Sequence, residues 1–138
     1  MSVNEVKLKP AAEPFVVRGT GPPSSRTFCI GDEDHTMGNA LRHILMQNSQ
    51  VGFAGYSVPH PSEPVVQIRV QTVAPPGAPS SEAPTALDTL QKACQTLSAK
   101  CDIVMHKSEG ILPEVQEDRQ HLERFVAERD TYDDYDAG

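Results

Sequence analysis

Between Asp34 and Asn48 the apolar residues Met37, Leu41, Ile44 and Leu45 fall at i, i+4, i+7 and i+8, with Ala40 in the same stripe. This spacing predicts an amphipathic α-helix with one face to bury. Asp34 or Thr36 is placed to accept the free N–H groups of the first turn. The run Asp32-Glu33-Asp34 also faces the positive end of the helix dipole. Gly38 interrupts the pattern at a cost of about 1 kcal/mol relative to Ala; it answers either to close approach of another backbone or to a bend. After Gln47-Asn48-Ser49, Val51 to Val58 reads as a strand. From Val66 to Val70 the alternation is strict: Val66, Ile68 and Val70 point one way, and Gln67, Arg69 and Gln71 the other. These two strands, joined through the turn at Pro59-His60-Pro61, predict a hairpin with the helix over its apolar side.

The rest of the chain is organised around that stretch. Residues 1–26 form a proline-rich lead-in, with Phe15-Val16-Val17 as an edge strand, and Arg26 to Ile30 is a further strand. A linker from Val73 to Pro84 carries four prolines. A second helix is expected from about Thr85 to Lys107, where Leu87, Leu90, Cys94, Leu97, Cys101 and Val104 recur at steps of three and four. That line resembles one strand of a helix-pair seam. At roughly 34 Å the helix is longer than a small sheet can cover, so part of the line is expected to face another chain. Ser108 to Pro113 should break it. Glu114 to Arg129 forms a third helix, and Asp130 to Gly138 a disordered acidic end. The domain reading is a lead-in over 1–26, a domain over 27–107 and an extension over 108–138.

Charge and cysteines narrow the function classes. The net charge of −7 is concentrated in residues 114–138, which hold nine acidic and three basic groups. The remainder is nearly neutral, so the basic face of a protein that holds nucleic acid by itself is missing. Three cysteines, Cys29, Cys94 and Cys101, with no signal peptide, fit free thiols in a reducing compartment. No apolar run approaches the roughly 20 residues of a membrane span. The expectation is a soluble intracellular chain.

Asp34-His35 has the chemistry of a carboxylate-oriented general base, but no nucleophile motif accompanies it, and a helix start is the simpler reading. Cys94 and Cys101 are seven apart and lack the paired spacing of a structural zinc site. His60 is either an exposed contact on a rigid turn or a ring that packs the turn. Arg42 is either solvated or a buried partner contact.

The segment Glu33-Asp34-His35-Thr36-Met37-Gly38-Asn39-Ala40-Leu41-Arg42 resembles the signature of the smaller alpha-like subunit of nuclear and archaeal RNA polymerases. Its Gly-Asn-x-Leu-Arg core is similar to the dimerisation helix of the bacterial alpha subunit. The likeness continues through Phe53 to Glu63 and Ile68 to Thr72, then more loosely from Thr85 to Asp102. Met37 and Gln47 depart from the usual residues without changing the helix face. Within the family, Asn39-Ala40-Leu41-Arg42 and Ser62 resemble the branch shared by polymerases I and III, with the polymerase II counterpart as the alternative.

The resemblance implies an α+β fold, a small mostly antiparallel sheet packed with a dimerisation helix and a long C-terminal helix. It also implies a non-catalytic nuclear and nucleolar assembly subunit without cofactor or metal. Such a subunit pairs with a larger alpha-like subunit and supports the two largest subunits. On this reading His35, Thr36, Met37, Gly38, Asn39, Leu41, Arg42, Ile44 and Leu45 belong to the partner interface. Leu87, Leu90, Cys94, Leu97 and Cys101 supply a second seam, and Tyr56 and His60 a second contact. A homodimeric adaptor is the other alternative.

Overall fold

A computed structural model describes residues 10–136, with side chains described through Ala127. The first nine residues of the lead-in and the last two of the acidic end lie outside the described residues. Four strands, β1 (Phe15–Arg18), β2 (Ser25–Gly31), β3 (Val51–Ser57) and β4 (Val65–Thr72), form one antiparallel sheet in the order β1-β2-β4-β3. The helices are α1 (His35–Met46), α2 (Ala86–Ile111) and α3 (Glu114–Asp136). Two compact units, 10–97 and 98–136, divide the described chain within α2. The α+β class read from the sequence is the observed one.

The first unit is the sheet with one face covered by helices. Alternation along β4 sends Val66, Ile68, Val70 and Thr72 inward. The register sets Phe28 opposite Ile68, Ile30 opposite Val66 and Ala54 opposite Val70, so these residues share the inner face. α1 lies over β3 and β4 and fills that face with Leu41, Ile44 and Leu45. The first turns of α2 add Ala86, Leu90 and Ala93. On the outer face Arg69 ties β4 to β2, donating to Ser25 Oγ at 2.6 Å and Thr27 Oγ1 at 3.2 Å. It is therefore a cross-strand fastener as well as a polar surface residue.

The start of α2 is fixed at the end of the sheet. Ala86 N donates to Pro23 O at 2.9 Å, and the Thr72 hydroxyl donates to Pro84 O. Thr85 caps the helix by accepting Asp88 N at 3.1 Å. The register of β3 shifts between Val51 and Phe53, a bulge at Gly52 that agrees with the glycine signal in that strand.

Gly38 is explained by neither reading of the sequence. A Cβ there would lie 2.5 Å from Cδ2 of Tyr56 and 2.8 Å from Cγ2 of Val66. The nearest neighbours are side chains of this chain's own sheet rather than a backbone. Glycine lets α1 sit down onto β3 and β4. Gly38→Ala is expected to lift the helix and destabilise the chain by about 1–3 kcal/mol despite the better helix propensity of Ala. Chemical denaturation of the two proteins checks this; equal or higher stability would contradict it.

The second unit differs from the sequence expectation in two places. α2 does not break at Ser108, whose hydroxyl donates to Val104 O at 2.8 Å within the helix. It runs to Ile111 and stops before Pro113, which has no N–H to give and disfavours helical geometry in the residue before it. Asp130 to Asp136, expected to be disordered, continues α3, because residues 114–136 contain neither Gly nor Pro. Arg119 pairs with Glu109 at 2.8 Å and Glu123 at 2.9 Å.

Candidate functional site

The Asp34-His35 pair resolves into helix chemistry. Asp34 is the N-cap of α1, and its Oδ1 accepts Thr36 N at 2.9 Å. His35 is exposed, with Nδ1 3.2 Å from the Tyr56 hydroxyl and its ring edge-on to the tyrosine, centroids 5.7 Å apart. The carboxylate therefore orients the backbone of the first turn, and the imidazole rests on a strand. Asp34→Ala is expected to cost about 1 kcal/mol, the usual penalty for a lost cap. A thermal melt measures it; no change would show that the cap contributes nothing.

The sequence-derived interface residues divide into two groups. Gly38, Leu41, Ile44, Leu45 and Leu90 are buried in this chain's own core, with Met37 and Leu97 packed against it and partly exposed. His35, Thr36, Asn39, Leu87, Cys94 and Cys101 are exposed. Arg42 is half-buried and donates to Asn39 Oδ1 at 2.9 and 3.3 Å, which is neither a free cation nor a buried one. Tyr56 is half-buried beneath α1, and His60 is exposed, with Nδ1 2.9 Å from Ser62 Oγ. The first group holds the helices to the sheet, and the second lies on the surface those helices present.

On α2 the buried line is turned from the expected one. Ala86, Thr89, Leu90 and Ala93 face inward, whereas Leu87 is 49% exposed. Small residues win the inward positions because they let the helix approach the core closely, and the bulkier Leu87 is left outside. Burial falls away along the same helix: Leu90 is 4% exposed, Val104 63% and Ile111 78%. These three and Leu97 recur every seven residues, the spacing of a seam residue in a helix pair. Partial desolvation pushes the Cys94 thiol up from its ordinary value.

Sequence reasoning missed a cleft of about 210 Å³ between the end of α1 and the start of α2. Ile44, Leu45 and Ala93 give it an apolar floor, and Gln47, Asn48, Thr89, Lys92 and Thr96 line the rest. The signal was the spacing of Thr89, Lys92, Ala93 and Thr96 at i, i+3, i+4 and i+7, a flank of α2 without large apolar residues. Met46 was missed as well. It is exposed, and its sulfur accepts Ala54 N at 3.3 Å on β3, an edge strand of the sheet. Among the described residues no group of His, Cys, Asp or Glu is arranged to hold a metal, and no helix is long and apolar enough to cross a membrane.

A sheet with one face covered by helices, and helices that carry apolar side chains on their uncovered side, defines a pairing domain. The family model described as the RNA polymerase Rpb3/Rpb11 dimerisation domain matches residues 25–107, and the chain belongs to that family. Over 84 residues it is 46% identical to the DNA-directed RNA polymerases I and III subunit RPAC2 of Saccharomyces cerevisiae, covering 61% of this chain and 54% of that protein. Over 90 residues it is 47% identical to the protein of the same description in Schizosaccharomyces pombe, covering 65% and 66%. The probable DNA-directed RNA polymerase II subunit RPB11 of Caenorhabditis briggsae is 33% identical over 98 residues, 71% of this chain and 74% of that protein. The chain thus spans between 54% and 66% of the length of the two yeast relatives.

Proposed function

We propose that this chain is a non-catalytic assembly subunit of DNA-directed RNA polymerases I and III. It heterodimerises with a larger alpha-like subunit, and the pair is the platform for the two largest subunits, in the nucleus and the nucleolus. Residues 27–107 are the pairing domain, 1–26 a lead-in and 108–138 an extension. The exposed residues of α1 (His35, Thr36 and Asn39, with Arg42 held beside them) and of α2 (Leu87, Cys94 and Cys101) contact the partner. The buried ones hold the two helices in position for it.

One observation carries the reading: the dimerisation-domain match over 25–107 coincides with a helix whose seven-residue line leaves the core and continues exposed. Val104 and Ile111 are exposed apolar positions on that line, which a paired helix would bury. The polymerase II counterpart is the second reading. The lower identity to the polymerase II relative, 33% against 46% and 47%, favours the first.

Co-expression with a larger alpha-like subunit followed by native mass measurement tests the pairing. A one-to-one complex is expected. A stable homodimer that ignores the larger chain would replace this reading with a homodimeric adaptor.

A further inference from the structure

α3 begins at Glu114, beyond the dimerisation-domain match that ends at residue 107. It is an addition to the pairing domain. The junction with α2 is closed on both sides of Pro113. Leu112 N donates to Ser108 O at 2.9 Å, Val115 N to Leu112 O at 3.0 Å and Gln116 N to Pro113 O at 3.1 Å. Arg119 adds ion pairs to Glu109 before the junction and to Glu123 after it. The helix is fixed where it starts, and yet its apolar face is bare. Leu122, Phe125 and Val126 fall at i, i+3 and i+4 and are 59%, 60% and 52% exposed. Helices draw most of their stability from packing such a face, and this spacing is the one by which a helix anchors itself in a groove.

Charge identifies the chemistry of the groove. Residues 114–138 hold nine acidic groups against three basic ones, a net of −6. Arg119, one of the three cations, is already paired within the chain. Among the described residues none of Glu114, Glu117 and Asp118 is paired with a cation. A second copy of α3 would bring −6 against −6, and nucleic acid or an anionic membrane surface is repelled in the same way. A protein groove with lysines and arginines on its rim is attracted instead.

We propose that α3 is a docking helix for a basic protein groove outside the pairing interface. Leu122, Phe125 and Val126 enter its apolar floor, and the unpaired carboxylates of the first turns meet the cations of its rim. The docking helix adds a contact to the assembly reading and does not depend on it.

Zero-length carbodiimide coupling tests the proposal, because the reagent joins a carboxylate only to an amine in contact with it. Complexes purified on the tagged full-length chain are coupled, and the joined peptides are identified by mass spectrometry. The expected products join Glu114, Glu117 or Asp118 to lysines of a chain that is neither this one nor the larger alpha-like subunit. A double variant, Leu122→Gln with Phe125→Gln, keeps every carboxylate, and in it the yield of those products should fall by roughly ten-fold or more. Coupling only to the larger alpha-like subunit, only to a second copy of this chain, or to no other chain would overturn the docking helix. An unchanged yield in the double variant would overturn it too, because the apolar face would then be idle.

Both substituted side chains are exposed, and glutamine is a good helix former. The double variant should therefore keep its circular dichroism spectrum and pair with the larger alpha-like subunit as tightly as the wild type. Weaker pairing would place α3 inside the pairing interface and overturn the proposal. If the double variant loses helix, Phe125→Ala, which puts the best helix former in place of the largest anchor, is read in the same way. Recovery of complexes without polymerase subunits would reject the assembly reading, and the coupling products of the chains recovered still decide the role of α3.

Discussion

Leu41→Asp is expected to unfold the chain, whether or not its partner is present. Leu41 is 1% exposed and packs with Leu45, Val66, Ile68 and Val70 between α1 and the sheet. An aspartate there has no cation to pair with inside the core cluster. The substitution combines the loss of a buried leucine, about 2–5 kcal/mol, with the cost of an unsatisfied buried carboxyl. A domain of this size has a total stability of roughly 5–10 kcal/mol, so the sum removes most of it. The family resemblance points to Leu41 as a partner contact, and loss of pairing is indeed expected, but through loss of the fold. Circular dichroism of the variant should show a collapse of structure. A variant that keeps its native spectrum and loses only its partner would mean that Leu41 faces outward.

Val104→Glu should do the reverse. Val104 is 63% exposed, and such a substitution usually changes the stability of the chain by less than about 0.5 kcal/mol. In the proposed heterodimer the same position lies on the seven-residue line with Leu90, Leu97 and Ile111, where a charge would replace a seam residue. The expected loss of pairing is about 2–4 kcal/mol, or roughly thirty- to a thousand-fold in Kd. Titration against the larger subunit measures it alongside a thermal melt of the variant alone. Wild-type affinity would show that the seam ends before Val104. The two substitutions together separate the residues that build the helical surface from those that use it.

Much of this architecture is legible in the sequence because its signals are periodic. Met37, Leu41, Ile44 and Leu45 announce α1, and Asp34 announces its start. The alternation through Val66, Ile68 and Val70 fixes the inner face of β4, and with it the face of every strand registered against it. The side of a helix that turns inward is harder to read. On α2 the leucine and cysteine line stands beside the line of Ala86, Thr89 and Ala93, and periodicity favours the larger residues.

The helix instead uses its small residues inward, since burial there depends on how closely the helix can approach the core. That distance is a tertiary property. Gly38 is the same problem in one residue: the sequence shows that a side chain is missing, and only the fold shows that Tyr56 and Val66 occupy its space. The distinction between the core and the pairing surface was hidden for a related reason. Both are apolar stripes at helical spacing, and whether a stripe meets the sheet or another chain depends on how far the sheet extends beneath it. The cleft gave a weaker signal still, because it is lined largely by threonines whose hydroxyls bond back to their own helix.

The central claim, a subunit shared by two polymerases through one heterodimer, is tested most directly by quantitative mass spectrometry of complexes purified on the tagged full-length chain. The account predicts the larger alpha-like subunit in equal amount, with the two largest subunits of both polymerase I and polymerase III present and those of polymerase II absent. Recovery of the polymerase II subunits alone, or of the chain bound only to itself, would contradict it.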